Sequence, residues 1–110
     1  MPKREATVYL QDILTSLSRI KDYTKGFSFE AFSNDFKTID AVVRNLEIIG
    51  EAARNMPEKV LEKYSDIPWS NMISMRNKIL HEYFGVDMEI LWKTIKEDLL
   101  PLKKQIEKIL

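Results

Sequence analysis

Met75-Arg76-Asn77-Lys78-Ile79-Leu80-His81-Glu82-Tyr83-Phe84 contains the chain's one histidine, five residues after an arginine and two before a tyrosine. On an ideal helix, Met72, Ile73, Met75, Ile79 and Leu80 define an apolar arc. Arg76 falls near the middle of that arc instead of on its wet side. A guanidinium in such a position requires a partner or a solvated cleft, because a bare buried charge is far too costly. Asn77 and His81 are one turn apart and share a face at the edge of the arc. Arg76 and His81 are about 140° apart, so a single helix cannot bring both onto one small group. Two copies of the helix facing each other across a dimer axis can.

Helical periodicity continues on both sides of this stretch. Leu10, Ile13, Leu14, Leu17 and Ile20 predict a first helix from about Glu5 to Tyr23, with Gly26 as its stop. Phe27, Phe29, Phe32 and Phe36 follow in a short helix or turn whose rings are expected to plug one end of the core. The second long helix is predicted over about Asp35 to Met56. Ile39, Val42, Val43, Leu46, Ile49, Ala53 and Met56 form its broad stripe, and Ala41, Ile48 and Ala52 a narrower one. Small residues, Gly50 among them, permit close helix approach there. Periodicity alone leaves open whether the narrow stripe meets an internal partner or a second copy.

Pro57 closes that helix, and Glu58 to Tyr64 read as a short extra turn. Asp66-Ile67-Pro68-Trp69-Ser70 reads as a helix start with an acidic or serine cap, and Gly85 as the stop after the motif helix. Asp87 is the expected cap of a last segment whose stripe is Ile90, Leu91, Ile95, Leu99, Leu102, Ile106 and Ile109. Pro101 predicts a kink or a break within it. No strand alternation or internal repeat competes with these signals. The expected fold is an all-α bundle of four or five helices forming one domain over residues 1–110.

Composition narrows the chemistry. At 110 residues, 45% apolar and 31% charged, the chain is an ordinary globular domain. Its 17 basic and 17 acidic residues balance, which argues against a sequence-blind nucleic-acid coat, so any RNA contact must be local or assembled by a dimer. The absence of cysteine excludes disulfides, thiolate metal sites and cysteine nucleophiles. With one histidine, a multi-histidine zinc site within one subunit is excluded as well. No apolar run reaches the ~20 residues of a membrane span, and the polar start carries no signal-like core, so a cytoplasmic location is expected.

The motif has the parts needed for RNA transesterification without metal. An imidazole titrating near neutrality carries protons, and an arginine fork fits phosphate oxygens. Asn77 can orient the imidazole or donate to phosphate, and Tyr83 adds a polar hydroxyl. Glu47 and Glu51, one turn apart on the second helix, are candidates for holding Arg76 in place. Taken alone, these residues leave open a structural histidine with a paired core arginine.

Arg76-Asn77-Lys78-Ile79-Leu80-His81, extended by Glu82-Tyr83, fits an R-x4-H-x-Y pattern and resembles the HepT-like toxins among HEPN-domain proteins. Further blocks carry the resemblance over nearly the whole chain: Tyr9-Leu10-Gln11-Asp12-Ile13, Arg44 to Ala53, Ile67-Pro68-Trp69, Phe84 to Asp87 and Trp92 to Asp98. The resemblance implies a HEPN bundle that dimerises around a shared cleft and acts as a metal-independent ribonuclease toxin without cofactor. It implies Arg76 and His81 as catalytic and Asn77 as auxiliary. It also implies an MNT-type nucleotidyltransferase antitoxin that transfers AMP to Tyr83. The other function compatible with such a helical dimer is a non-catalytic one, a nucleotide-binding or substrate-presenting subunit of a minimal nucleotidyltransferase.

Overall fold

The second long helix is the centre of the molecule because it is apolar on two sides. In the computed structural model, which describes residues 5–81 and 87–110 and the side chains of all of these but 79–81, α3 (Phe36–Arg54) packs against both α1 (Ala6–Thr24) and α5 (Trp69–His81). The C-terminal rod consists of α6 (Met88–Lys93), a π-helical turn (Thr94–Asp98) and α7 (Leu99–Ile109), and α7 lies along α1. Two short helices, α2 (Phe29–Ser33) and α4 (Glu58–Lys63), complete an all-α bundle of the HEPN type. Among the described residues there is no strand, and no helix is long and apolar enough to cross a membrane.

Local chemistry accounts for most of the helix ends. Gly26, at φ 78°, follows α1 in the left-handed region that stops a helix cheaply only at glycine. The Ser28 hydroxyl caps α2 by accepting from Ala31 N, and the Asp35 carboxylate caps α3 by accepting from Thr38 N at 3.0 Å. Asp87 caps α6 through Glu89 N and Ile90 N. At α5 the expected acidic or serine cap is replaced. Pro68 occupies the cap position, its carbonyl accepting from Met72 N at 3.2 Å, so Ser70 falls inside the helix. The expected stop at Gly85 lies outside the described residues.

Leu10, Ile13, Leu17 and Ile20 of α1 and Val42, Leu46, Ile49 and Ala53 of α3 form the core with Met72, Leu91, Leu102 and Ile106. Phe32, fully buried, stacks on Trp92 at 5.0 Å between ring centroids, and Phe29 meets the same indole at 6.4 Å. Phe36 does not join this plug. It is 73% exposed, because the cap at Asp35 turns the first residue of α3 outward. Ile90 is likewise 50% exposed, on the outer side of α6 from Leu91.

Pro101 leaves the rod unbroken. Its ring would press on the carbonyl of residue 97, four positions back, and that carbonyl belongs to the π turn. There Leu99 N bonds back to Thr94 O, five residues away, so the ladder has already widened where the proline needs room.

α3 and α5 approach each other closely at Gly50. Gly50 faces Arg76, and a Cβ built on Gly50 would overlap the Arg76 Cβ while lying 2.9 Å from the Met72 carbonyl oxygen. Backbone and side-chain stem both obstruct it, so α5 would have to move bodily. Gly50→Ala is therefore expected to destabilise by about 2–3 kcal/mol as an overpacking change, lowering Tm by roughly ten degrees or more, measurable by thermal unfolding. An unchanged Tm would show that the crossing yields easily.

Candidate functional site

Gly50 also determines where Arg76 can reach. With no side chain between the helices, the Arg76 stem lies against α3 and its guanidinium arrives beside the next residue, Glu51. Arg76 Nη2 and Glu51 Oε2 are 2.8 Å apart. The arginine side chain is 18% exposed and the glutamate 52%, so the charge is largely covered and its partner remains wet. Arg76 Nη1 also donates to Asn77 Oδ1 at 3.0 Å. On the other side, Asn55 Nδ2 donates to Glu51 Oε1 at 3.2 Å and to the Glu51 carbonyl at 2.9 Å. A continuous polar chain, Asn55–Glu51–Arg76–Asn77, thus spans α3 and α5.

These groups border a cavity of about 560 Å³. Tyr9 and Asp12 enter it from α1; Arg44, Glu47, Ile48, Glu51 and Ala52 come from α3; Asn55 caps that helix, and Arg76 comes from α5. Three carboxylates thus face two guanidiniums. Of the two glutamates expected to hold Arg76, Glu51 does so and Glu47 pairs with Arg44 at 3.4 Å. Ile48 and Ala52, from the narrow stripe of α3, supply an apolar strip in the cavity wall. The backbone of His81 closes α5, while its side chain and all of Tyr83 lie outside the described residues. Among the described residues no group of three or more His, Asp or Glu is placed to hold a metal ion.

Beyond the family resemblance, sequence reasoning gave no role to Tyr9, Asp12, Arg44 or Asn55. Their one available signal was that Tyr9 and Asp12 both look out of the apolar stripe of α1, three residues apart. Which helix they meet depends on the packing. A cavity of about 650 Å³ lies on the other side of α5, between it and the C-terminal rod, and its described lining includes none of the predicted site residues.

Comparison with known proteins agrees with this picture. The family described as ribonuclease HepT-like matches residues 13–109. A Thermococcus cleftensis protein named "Probable ribonuclease HepT" is 47% identical over 97% of each chain. "Putative RNase MJ0127" of Methanocaldococcus jannaschii is 41% identical over all of this chain and 91% of its own, and "Putative RNase TTE0752" of Caldanaerobacter subterraneus is 45% identical over 93% and 91%. No solved structure matches. A family match over nearly the whole chain, on a helical bundle with Arg76 paired at its central crossing, establishes that this chain belongs to the HepT-like ribonuclease family.

Proposed function

We propose that the chain is the toxin of a HEPN/MNT toxin–antitoxin pair, an endoribonuclease that requires no metal and works as a homodimer with a composite cleft. The observation that carries this reading is the Arg76 guanidinium, fastened by Glu51 and Asn77 at the edge of an open cavity. Among the described residues those contacts take two of its five N–H donors, leaving three for a phosphate. The same helix delivers His81 about one and a half turns later.

In this reading His81 takes the proton from the ribose 2′-hydroxyl, whose oxygen attacks phosphorus. The bond from phosphorus to the 5′-oxygen breaks, a proton passes to that oxygen, and a 2′,3′-cyclic phosphate remains. Arg76 stabilises the charge gathering on phosphorus. Removing one proton and supplying another suits two imidazoles better than one, and a dimer supplies both. A second copy also brings a second Arg76 to the same phosphate. Asn77 is auxiliary, holding the guanidinium plane. Control is by antitoxin. An MNT-type nucleotidyltransferase joins AMP from ATP to the Tyr83 oxygen, with pyrophosphate leaving, and places a bulky anion next to the groups that must receive RNA.

The central test is RNA cleavage by unmodified protein in EDTA, with intact mass checked beforehand. Wild type is expected to cut and His81→Ala to lose at least 100-fold. Arg76→Ala should lose as much while costing no more than about 1 kcal/mol of stability, because the stranded Glu51 is half exposed and rehydrates. Absence of cleavage by verified unmodified wild type would favour the non-catalytic nucleotidyltransferase subunit instead. Glu51→Gln keeps the shape and drops the charge that fixes Arg76; steady-state kinetics should show KM raised about tenfold with kcat little changed, which is a loss of about 1.4 kcal/mol in binding. Protein carrying AMP on Tyr83 should be inactive with an unaltered Tm. Cleavage at the unmodified rate would end that account of control.

A further inference from the structure

At the far end of α1 from Asp12 lies a cavity of about 310 Å³ with an uneven charge. Lys21 and Lys25 enter it from the end of α1, Lys96 from the π turn and Lys103 from α7, and among the described residues no acidic one lines it. The contrast within the molecule is informative. The Arg76 cavity has Asp12, Glu47 and Glu51, and the large groove beside α5 has Asp66, Glu97 and Asp98. In a chain of balanced charge, four lysines thus border one cavity whose described lining has no carboxylate. The floor is apolar, made by Leu17, Ile20, Ile95 and Leu99.

Ordinary structural roles account for only part of this arrangement. Lys21 and Lys25 offset the negative end of the α1 dipole, a favourable position for any cation. Lys96 and Lys103 have no such role, since they come from the middle of the C-terminal rod. Lys96 is also fixed, its Nζ 4.7 Å above the Trp92 ring that stacks on buried Phe32. Asp22 and Glu107 flank Lys103 from a separate cavity on its other side.

We propose that this lysine-rimmed pocket is a second RNA contact, holding backbone phosphates of the substrate strand away from the point of cleavage, with the apolar floor taking a base or ribose face. The inference rests on the ribonuclease reading. Lysine ammoniums act as point charges that suit phosphates in varied orientations. Asp12 and Lys21, one bordering each cavity, are nine residues apart, about 14 Å along α1, and on opposite sides of it. Allowing for the helix width, a strand spanning both cavities needs at least about five nucleotides between them at stacked spacing. The pocket therefore selects length, not sequence.

The test uses full-length protein and a 2′-O-methyl RNA of about twenty nucleotides, which binds but cannot undergo 2′-hydroxyl attack, read by fluorescence anisotropy over a salt series. Replacing all four lysines (Lys21→Gln, Lys25→Gln, Lys96→Gln and Lys103→Gln) should weaken binding at least tenfold. It should also reduce the slope of log affinity against log salt by up to about 3, at about 0.7 per phosphate contact. A trinucleotide should bind both proteins alike, and arginine at the four positions should restore the long strand. The pair Lys96→Gln and Lys103→Gln, away from the α1 terminus, should show about half the change with an unaltered Tm. Equal affinity and slope for wild type and the four-lysine variant would overturn the proposal. Polyglutamate losing as much affinity as RNA would overturn it in favour of an acidic protein partner. Cleavage is not part of this readout, so failure of catalysis and failure of the pocket are separable.

Discussion

The close approach of α3 and α5 at Gly50 is the constraint on which the rest of the molecule depends. A side chain there would push α5 outward at the Arg76 stem and the Met72 carbonyl together. Missing volume at one position thus allows two helices to share a dense core and brings a guanidinium beside a carboxylate on the following residue. Packing and electrostatics are not separate features of the site. The pair at 2.8 Å exists because the backbones are close, and the cavity beside it is bounded by the two helices so joined.

The consequences for charge are specific. A covered guanidinium with a half-exposed partner is held in place without being neutralised beyond reach of solvent, the condition in which it can still receive an anion. The carboxylates around it oppose strong phosphate binding at this cavity. At the other end of α1 the balance reverses, with four lysines and, among the described residues, no acid lining one pocket. Zero net charge conceals this sorting, since a sum carries no information about where charges lie.

The C-terminal rod shows how a local defect is absorbed. A proline three residues into α7 follows directly on the widened turn from Thr94 to Asp98, which accommodates the ring, and α7 lies along α1. The same turn carries Lys96, held over Trp92, so the aromatic plug at α2, the widened turn and the basic pocket form one connected region.

By itself the sequence determined the helices, because a 3.6-residue period of apolar side chains is a local signal that burial enforces. It also marked Arg76 as anomalous on the apolar arc of its helix, and it carried the family resemblance in the motif and the blocks around it. Caps and stops read from one or two residues held at Gly26 and Asp87, where the cap competes only with water. The same kind of signal misled at Asp66 and Ser70, where Pro68 takes the cap position. Only the tertiary structure decided which glutamate meets Arg76. Glu47 and Glu51 are equivalent by spacing, and the choice follows from where α5 crosses α3, which Gly50 sets. The grouping of Tyr9, Asp12 and Asn55 around that arginine, and of four lysines from two distant segments, was invisible for the same reason. Periodicity specifies which face a residue occupies, and only the packing of helices against one another specifies which residue it will face.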